Sequence, residues 1–334
     1  MKIFKYKIIT AIICSLILVT FAYTGWCERK PMPTSPQEMG IWITYWDMQS
    51  GVDMFSDNRE KYDNISYFAA CFNDKNELFL PENLQQAQIF LHQRKIEPSH
   101  RYLTVVNDVV SRGKSKVKDI DVVDKVLDGA AARILHANSI IALAEENNCN
   151  GIDLDYEKVF KNKETAEKYI KFIKILHDKA SVKGMKLRVI LEPSVDFSAY
   201  DFPQGPQYIV MMYNLYGLHS GPGPKADFTF IEKTADRIRN LPAPVGIAFS
   251  NGGCLWSSNG KKIFISEKKA VHLADQYKAV VKYDEKSGDK YFSYKKNNIE
   301  YTVWYADKNT IEGWIKKADK LGLHNIVIWR MGDN

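Results

Sequence analysis

Cysteine is scarce and scattered. The 334 residues hold five, at positions 14, 27, 71, 149 and 254. There is no C-x-x-C pair and no histidine spacing suited to zinc. A disulfide scaffold is thereby excluded, and Cys71 and Cys149, in or beside apolar strands, read as buried free thiols. The seven histidines are dispersed, and there is neither a Ser/His/Asp elbow nor a glycine-rich phosphate loop. No internal repeat or low-complexity tract appears. Charge of one sign is also modest. The formal net charge is +6; Lys2, Lys5 and Lys7 carry three of these, leaving +3 on the rest. Such a body attracts anionic cell-wall polymers weakly at most. No basic patch interleaved with aromatics marks a nucleic-acid surface, so nucleic acid is not an expected partner.

One apolar run stands out. Ile8 to Tyr23 follows the three lysines, and residues 1–27 read as a signal peptide or N-terminal anchor. The run is short for a membrane span. Cys27 follows it as a lipidated cysteine would, but Trp26 is too bulky for the small residue such sites need. Residues 28–38, with Pro31, Pro33 and Pro36, read as a linker. The protein is therefore expected to be secreted or associated with the cell envelope, with membrane attachment through the N-terminal segment as one form of that association.

Residues 39–334 alternate apolar strands with amphipathic helices. That is the signature of a parallel sheet with helical crossovers. Strands are expected at Ile41–Trp46, Ile65–Phe72, Tyr102–Asn107, Gly151–Glu157, Leu187–Glu192, Tyr208–Asn214, Val245–Ser250 and Asn325–Arg330. Helices are expected near 82–95, 119–148, 163–183, 226–240 and 307–321. Eight such strands predict an α/β fold of the (β/α)8 TIM-barrel type, with its active site at the carboxyl ends of the strands. Residues 255–305 break the alternation. A helix near 267–277 and β runs at Ala279–Tyr283, Lys290–Tyr294 and Ile299–Tyr305 predict a small α+β insertion between strand seven and its helix. No eighth helix follows strand eight in the pattern. Its outer face is expected to be covered by residues 28–38 or by neighbouring helices.

The chemistry concentrates in Asn150-Gly151-Ile152-Asp153-Leu154-Asp155-Tyr156-Glu157. On a strand, alternate side chains share a face. Asp153, Asp155 and Glu157 therefore face one way, and Ile152, Leu154 and Tyr156 the other. Three readings of the acidic face stand open. It is a solvated strand edge, a hard-cation site, or a catalytic set in which one acid is held protonated by its neighbours. The cation reading lacks the glycine and ligand register of a calcium loop. Tyr45 and Trp46 at the end of strand one, and Phe72 at the end of strand two, add aromatics at the same mouth. The alternative for each is an ordinary core position.

The stretch resembles the fourth-strand signature D/N-G-x-D-x-D-x-E of family 18 glycoside hydrolases, the chitinase-like enzymes. Met211-Met212-Tyr213-Asn214 resembles that family's M-x-Y-D motif, with Asn214 in place of the usual Asp. Trp329 ends strand eight where the family has a tryptophan. Val303-Trp304-Tyr305-Ala306-Asp307 resembles a V-W-[FY]-x-D segment of the bacterial spore-cortex and cell-wall branch, and the strand ending in Asn107 fits that branch too. The resemblance runs from about residue 38 to 334. It is strong at strands four, six and eight. Glu192 and the Gly221–Pro224 loop match no family role.

The resemblance implies a retaining, substrate-assisted glycosidase. Glu157 is then general acid and base. Asp155 orients the substrate's 2-acetamido group, Asp153 shares a proton with Asp155, and Tyr213 holds the acetamido oxygen. Met211, Asn214, Trp329, Tyr45, Trp46, Phe72 and Trp304 are the expected substrate-binding residues. No metal and no cofactor is expected. The partner is an N-acetylglucosamine-containing polysaccharide, peptidoglycan ahead of chitin-type polymers, and the protein is expected to be a monomer. The rival is a chitinase-like sugar-binding protein without turnover.

Overall fold

The computed structural model describes residues 38–82, 84–111 and 114–332. The expected signal or anchor, and residues 28–37 of the expected linker, lie outside the described residues. No single described helix is long and apolar enough to cross a membrane.

Eight strands close into a barrel: β1 Glu38–Thr44, β2 Asn64–Phe72, β3 His100–Ser111, β4 Gly151–Asp155, β5 Lys186–Leu191, β6 Gln207–Met211, β7 Val245–Ser250 and β8 Asn325–Met331. Each pairs in parallel with the next, and β8 returns to β1. The (β/α)8 expectation is met. Several strands stop short of their expected ends. The ladder of β4 ends at Asp155 and that of β6 at Met211, while Tyr45–Asp47 after β1 forms a 3-10 turn. Residues expected at strand ends thus stand just above the ladder, at the barrel mouth.

The crossover helices are α1 Met48–Asp57, α2 Gln85–Gln93, α3 Ile120–Val126, α4 Gly129–Glu146, α5 Lys163–Val182 and α6 Phe228–Ile238. Side-chain caps start several of them: Asp119 accepts from Asp121 N–H, Asn162 from Glu164 and Thr165 N–H, and Asp227 from Phe230 N–H. Each satisfies a donor the helix leaves free. The expected 119–148 helix is two helices meeting at 106°, with Gly129 in the left-handed region at φ 85°. The β5–β6 crossover contains no helix.

Helix α1 was not expected. It lies against β1 and β8. Gly51 allows the approach, since a Cβ there would come 2.5 Å from Ile43 Cγ2. Val52 and Phe55 join Ile326 and Ile328 in the outer core. Helix α1 is therefore one cover of β8's outer face.

The insertion is larger than expected. Its antiparallel sheet has five strands, in the spatial order Lys262–Ile265, Gly252–Ser257, Ile299–Ala306, Lys290–Lys296 and Lys282–Tyr283. Helix α7, Glu267–Gln276, packs on it through Leu273, which joins Leu255, Phe292 and Val303 in one cluster. The two strands missed in the sequence are Gly252–Ser257 and Lys262–Ile265, and the Gly252-Gly253 pair opens the first. Gly253 is needed there: a Cβ would lie 1.8 Å from the Trp304 carbonyl oxygen. Helix α8, Lys308–Lys320, then leads to β8.

Candidate active site

The site is built on β4. Ile152, Leu154 and Tyr156 point into the layer between barrel and helices, where the Tyr156 hydroxyl meets His136 Nε2 at 2.6 Å. The three acids are thereby committed to the inner face and the mouth. Asn150 sits before the strand, accepting Arg101 N–H at 2.7 Å, and sets the register of β3 against β4.

Asp153 lies inside the barrel with no exposed surface. Burying a lone carboxylate would be costly, and the sheet register supplies its partner. Arg188 of β5 pairs directly with Asp153 in the ladder. Its Nε donates to Asp153 Oδ1 at 2.6 Å and an Nη to Oδ2 at 2.7 Å. The same Nη reaches Ser66 Oγ at 2.6 Å. Trp42 Nε1 and Thr104 Oγ1 also donate to Asp153 Oδ2, at 3.1 and 3.2 Å. The guanidinium lies 3.7 Å from the centre of the Tyr102 ring. Tyr102 can occupy that position because residue 151 is glycine; a Cβ there would fall 2.4 Å from the ring. A bidentate guanidinium pair thus engages both oxygens of Asp153.

Asp155 is next up the column. It is 7% exposed, and its Oδ1 is buried without a hydrogen-bond partner in the protein. Burial raises its pKa well above the usual carboxylate range, and the charge of Glu157 raises it further, against Lys118. Glu157 stands above the ladder on a fixed backbone. Asn107, within β3, accepts its N–H at 2.9 Å and donates to its carbonyl at 3.0 Å. The next amide, Lys158 N–H, donates to Glu192 Oε2 at 2.7 Å. Glu192 is thus a backbone anchor beside the acid. Burial also raises the pKa of Glu157. Lys118, whose Nζ lies 2.5 Å from Oε2, lowers it, and the charges of Glu192 and Asp108 add to the rise.

Tyr213 is buried at the top of β6. Burial, then the charges of Asp155 and Glu157, hold its hydroxyl well above the usual phenol pKa, so it stays neutral and can donate. Met211 joins Ile209 and Trp42 in the barrel interior. Asn214 is exposed, in the left-handed region at φ 64°, a conformation asparagine tolerates better than most residues.

The mouth aromatics separate into three groups. Trp329 lies with its ring centre 4.8 Å from that of Phe68, edge to face, and 6.1 Å from Trp42. Phe68 continues to Trp46 at 5.8 Å, and Trp46 to Tyr45 at 4.9 Å. Trp46 is 48% exposed, so this row runs from the barrel interior to solvent. Phe72 does not belong to it. It is fully buried in the outer layer, against His136 and Tyr156, and its expected role in substrate binding is corrected to a core role. The cause is a register irregularity in β2 on either side of Ala70, which reverses the two-residue alternation and leaves Phe68 inward and Phe72 outward. Trp304 stacks on Tyr291 of the insertion sheet, ring centres 4.5 Å apart.

The residues missed in the sequence are Lys118, Arg188, Phe68 and Lys225. Lys225 is buried, with its Nζ 2.7 Å from Ser250 Oγ at the top of β7, and burial lowers it to about 8. A lone arginine inside the apolar run Leu187–Leu191 was a usable signal, because a buried acid needs a partner. Among the described residues no group of three or more His, Cys, Asp or Glu could hold a metal ion.

Comparison with known proteins bears on the same segment. The profile of the family described as glycosyl hydrolases family 18 matches residues 41–334. An uncharacterized glycosylase, YvbX, of Bacillus subtilis (strain 168) is 24% identical over 231 residues, covering 64% of this chain and 67% of its own. A cortical fragment-lytic enzyme of the same organism is 23% identical over 220 residues, 58% of this chain and 49% of that protein. The chain thus matches about half the length of that second relative. The crystal structure of the Bacillus cereus spore cortex-lytic enzyme SleL superposes with a TM-score of 0.74 at 19% identity, covering 89% of this chain and 71% of that one.

Proposed function

Because this chain belongs to the family 18 glycosyl hydrolases and is a glycoside hydrolase, we propose that it cleaves β-1,4 bonds next to N-acetylglucosamine by substrate-assisted catalysis, with Glu157 as general acid and base. Peptidoglycan is the proposed polymer, ahead of chitin-type polymers. The cortical fragment-lytic relative supports that order. The enzyme acts outside the cytoplasm as a monomer; the lysines and apolar run of residues 1–27 support export.

One observation carries the mechanism. Two mutually interacting carboxylates, buried Asp155 and half-buried Glu157, stand above a third, Asp153, that is already paired with Arg188. Their environments divide the labour. Glu157 protonates the glycosidic oxygen as the bond breaks. The substrate's acetamido oxygen attacks the anomeric carbon in place of an enzyme nucleophile. Asp155, with Oδ1 unpartnered in the protein, receives the acetamido N–H and stabilises the charge that develops on the ring. The Tyr213 hydroxyl donates to the acetamido oxygen. The Asp153–Arg188 pair is a rigid base beneath Asp155. Trp329 presents a flat apolar face to the sugar. Glu157, now a carboxylate, then takes a proton from the incoming water, and configuration is retained.

The test is mass spectrometry of products from purified peptidoglycan and from chitohexaose, with Glu157→Gln alongside. Reducing-end N-acetylglucosamine fragments from the wild type alone are expected. The ion pair of Lys118 on Glu157 favours a second reading, a sugar-binding protein without turnover. Intact polymer in both samples, with oligosaccharide retained on the protein, would establish that reading instead.

A further inference from the structure

A general acid must hold a proton when it meets the glycosidic oxygen. Here Glu157 is met by a cation instead. The ammonium of Lys118, 2.5 Å from Oε2, favours the carboxylate and opposes the acid form. Lys118 is not part of the barrel frame. It follows the hairpin strand Lys114–Lys116, at φ 55°, with its backbone N–H held by Asp108 Oδ1 at 2.7 Å. Its side chain is 35% exposed against 17% for Glu157, so it reaches the acid from the solvent side. The other charges that bear on Lys118 or on Glu157 are Asp155 of β4, Glu192 beyond β5 and Asp108 of β3. All are acidic, and Glu192 already accepts Lys158 N–H. An ammonium in that setting leaves Glu157 most readily for another anion.

We propose that Lys118 is the receptor for a carboxylate carried by the substrate on the sugar adjoining the cleaved bond, and that its transfer to that carboxylate frees Glu157 to hold the proton it donates. This rests on the glycosidase reading above and adds the chemical class of the substrate. The glycan carries acid-bearing sugars among its N-acetylglucosamine units, as a peptidoglycan strand does where its peptides have been removed and the lactyl groups are free. Neutral chitin lacks the group. The exchange is balanced: one ammonium–carboxylate pair breaks, another forms, and Glu157 takes one proton from solvent. Substrate binding and activation of the acid become one event. The same lysine that silences the empty site selects the strand that is cut.

The test compares kcat/KM on peptide-free peptidoglycan oligosaccharides with kcat/KM on the same oligosaccharides after methyl esterification of their carboxyl groups. Chitohexaose is a further neutral substrate. The wild type is expected to prefer the free acid by about tenfold or more, the scale of one charge-assisted hydrogen bond. Lys118→Met should abolish the preference and Lys118→Arg should keep most of it. The ratio is taken within each protein, so a lowered folded fraction cancels. Equal cleavage of acid and ester by the wild type, or an undiminished preference in Lys118→Met, overturns the inference alone. Failure of the wild type to cleave any of the three substrates overturns the glycosidase reading and the inference together.

Discussion

The side-chain amide of Asn107 closes two hydrogen bonds on the backbone of Glu157, accepting its N–H at 2.9 Å and donating to its carbonyl at 3.0 Å. The ladder between β3 and β4 has ended at Val106 and Asp155. Asn107 continues it by one residue with a side chain in place of a backbone. The amide has a donor and an acceptor on one planar group, and both are used. Glu157, the proposed proton donor, is thus held by the neighbouring strand rather than left on a loop.

Asn107→Ala should therefore act through position. We expect kcat to fall by about 10- to 100-fold, the scale of a misplacement near 1 Å, with a smaller change in KM. Steady-state kinetics on one soluble oligosaccharide checks this. A change confined to KM would assign Asn107 to substrate binding instead.

Removing the Lys118 charge has a defined sign on the pH profile. Lys118 lowers the pKa of Glu157, against burial that raises it. Without Lys118 that pKa rises. In the proposed mechanism Glu157 must be protonated to act, so activity is lost as pH climbs through that pKa. The alkaline limb of kcat/KM on a neutral oligosaccharide should accordingly move to higher pH in Lys118→Met. A limb unmoved or displaced to lower pH would mean that another group sets it.

The Asp153–Arg188 pair is buried on both sides. Arg188→Met leaves a carboxylate without its cation, and we expect a loss of about 3–5 kcal/mol in urea denaturation. Asp153→Asn added to Arg188→Met should recover much of that loss, since an amide is less costly to bury than a charge. Activity should not return with stability, because the base beneath Asp155 is gone. An additive double mutant would show that the two side chains do not act as a pair.

Phe72 and Trp329 should separate cleanly. Phe72→Ala removes a fully buried ring from the outer core and should cost about 3–5 kcal/mol, with kcat/KM per folded molecule nearly unchanged. Trp329→Ala should lower kcat/KM by more than tenfold, as expected for loss of a sugar-stacking face worth on the order of 1.5–3 kcal/mol. Loss of kcat/KM in Phe72→Ala at full folding would return Phe72 to the binding site.

Much of this arrangement was legible beforehand, for a reason visible in particular residues. Ile152, Leu154 and Tyr156 alternate with the three acids, and a strand has no other way to place them than on opposite faces. Asn107 was legible as the polar end of an apolar run. Helix α1 was not. Met48, Val52 and Phe55 have helical spacing, but Gly51 argues against a helix until the proximity of Ile43 explains it. Phe72 misled because a two-residue period holds only while the register holds, and β2 breaks it near Ala70.

What the sequence determined by itself is local. It set the strand alternation, the side-chain caps of α3, α5 and α6, and the acids that share one face of β4. Each depends on residues a few positions apart, whose geometry the backbone imposes. Tertiary structure alone decided which charges meet. Arg188 is 35 residues from Asp153 and Lys118 is 39 from Glu157, and nothing in either interval states the pairing. Closing the barrel brings β5 beside β4 and the β3 hairpin over the mouth. The buried acid Asp153 then takes the cation that desolvation demands, and Glu157 acquires Lys118 as its partner.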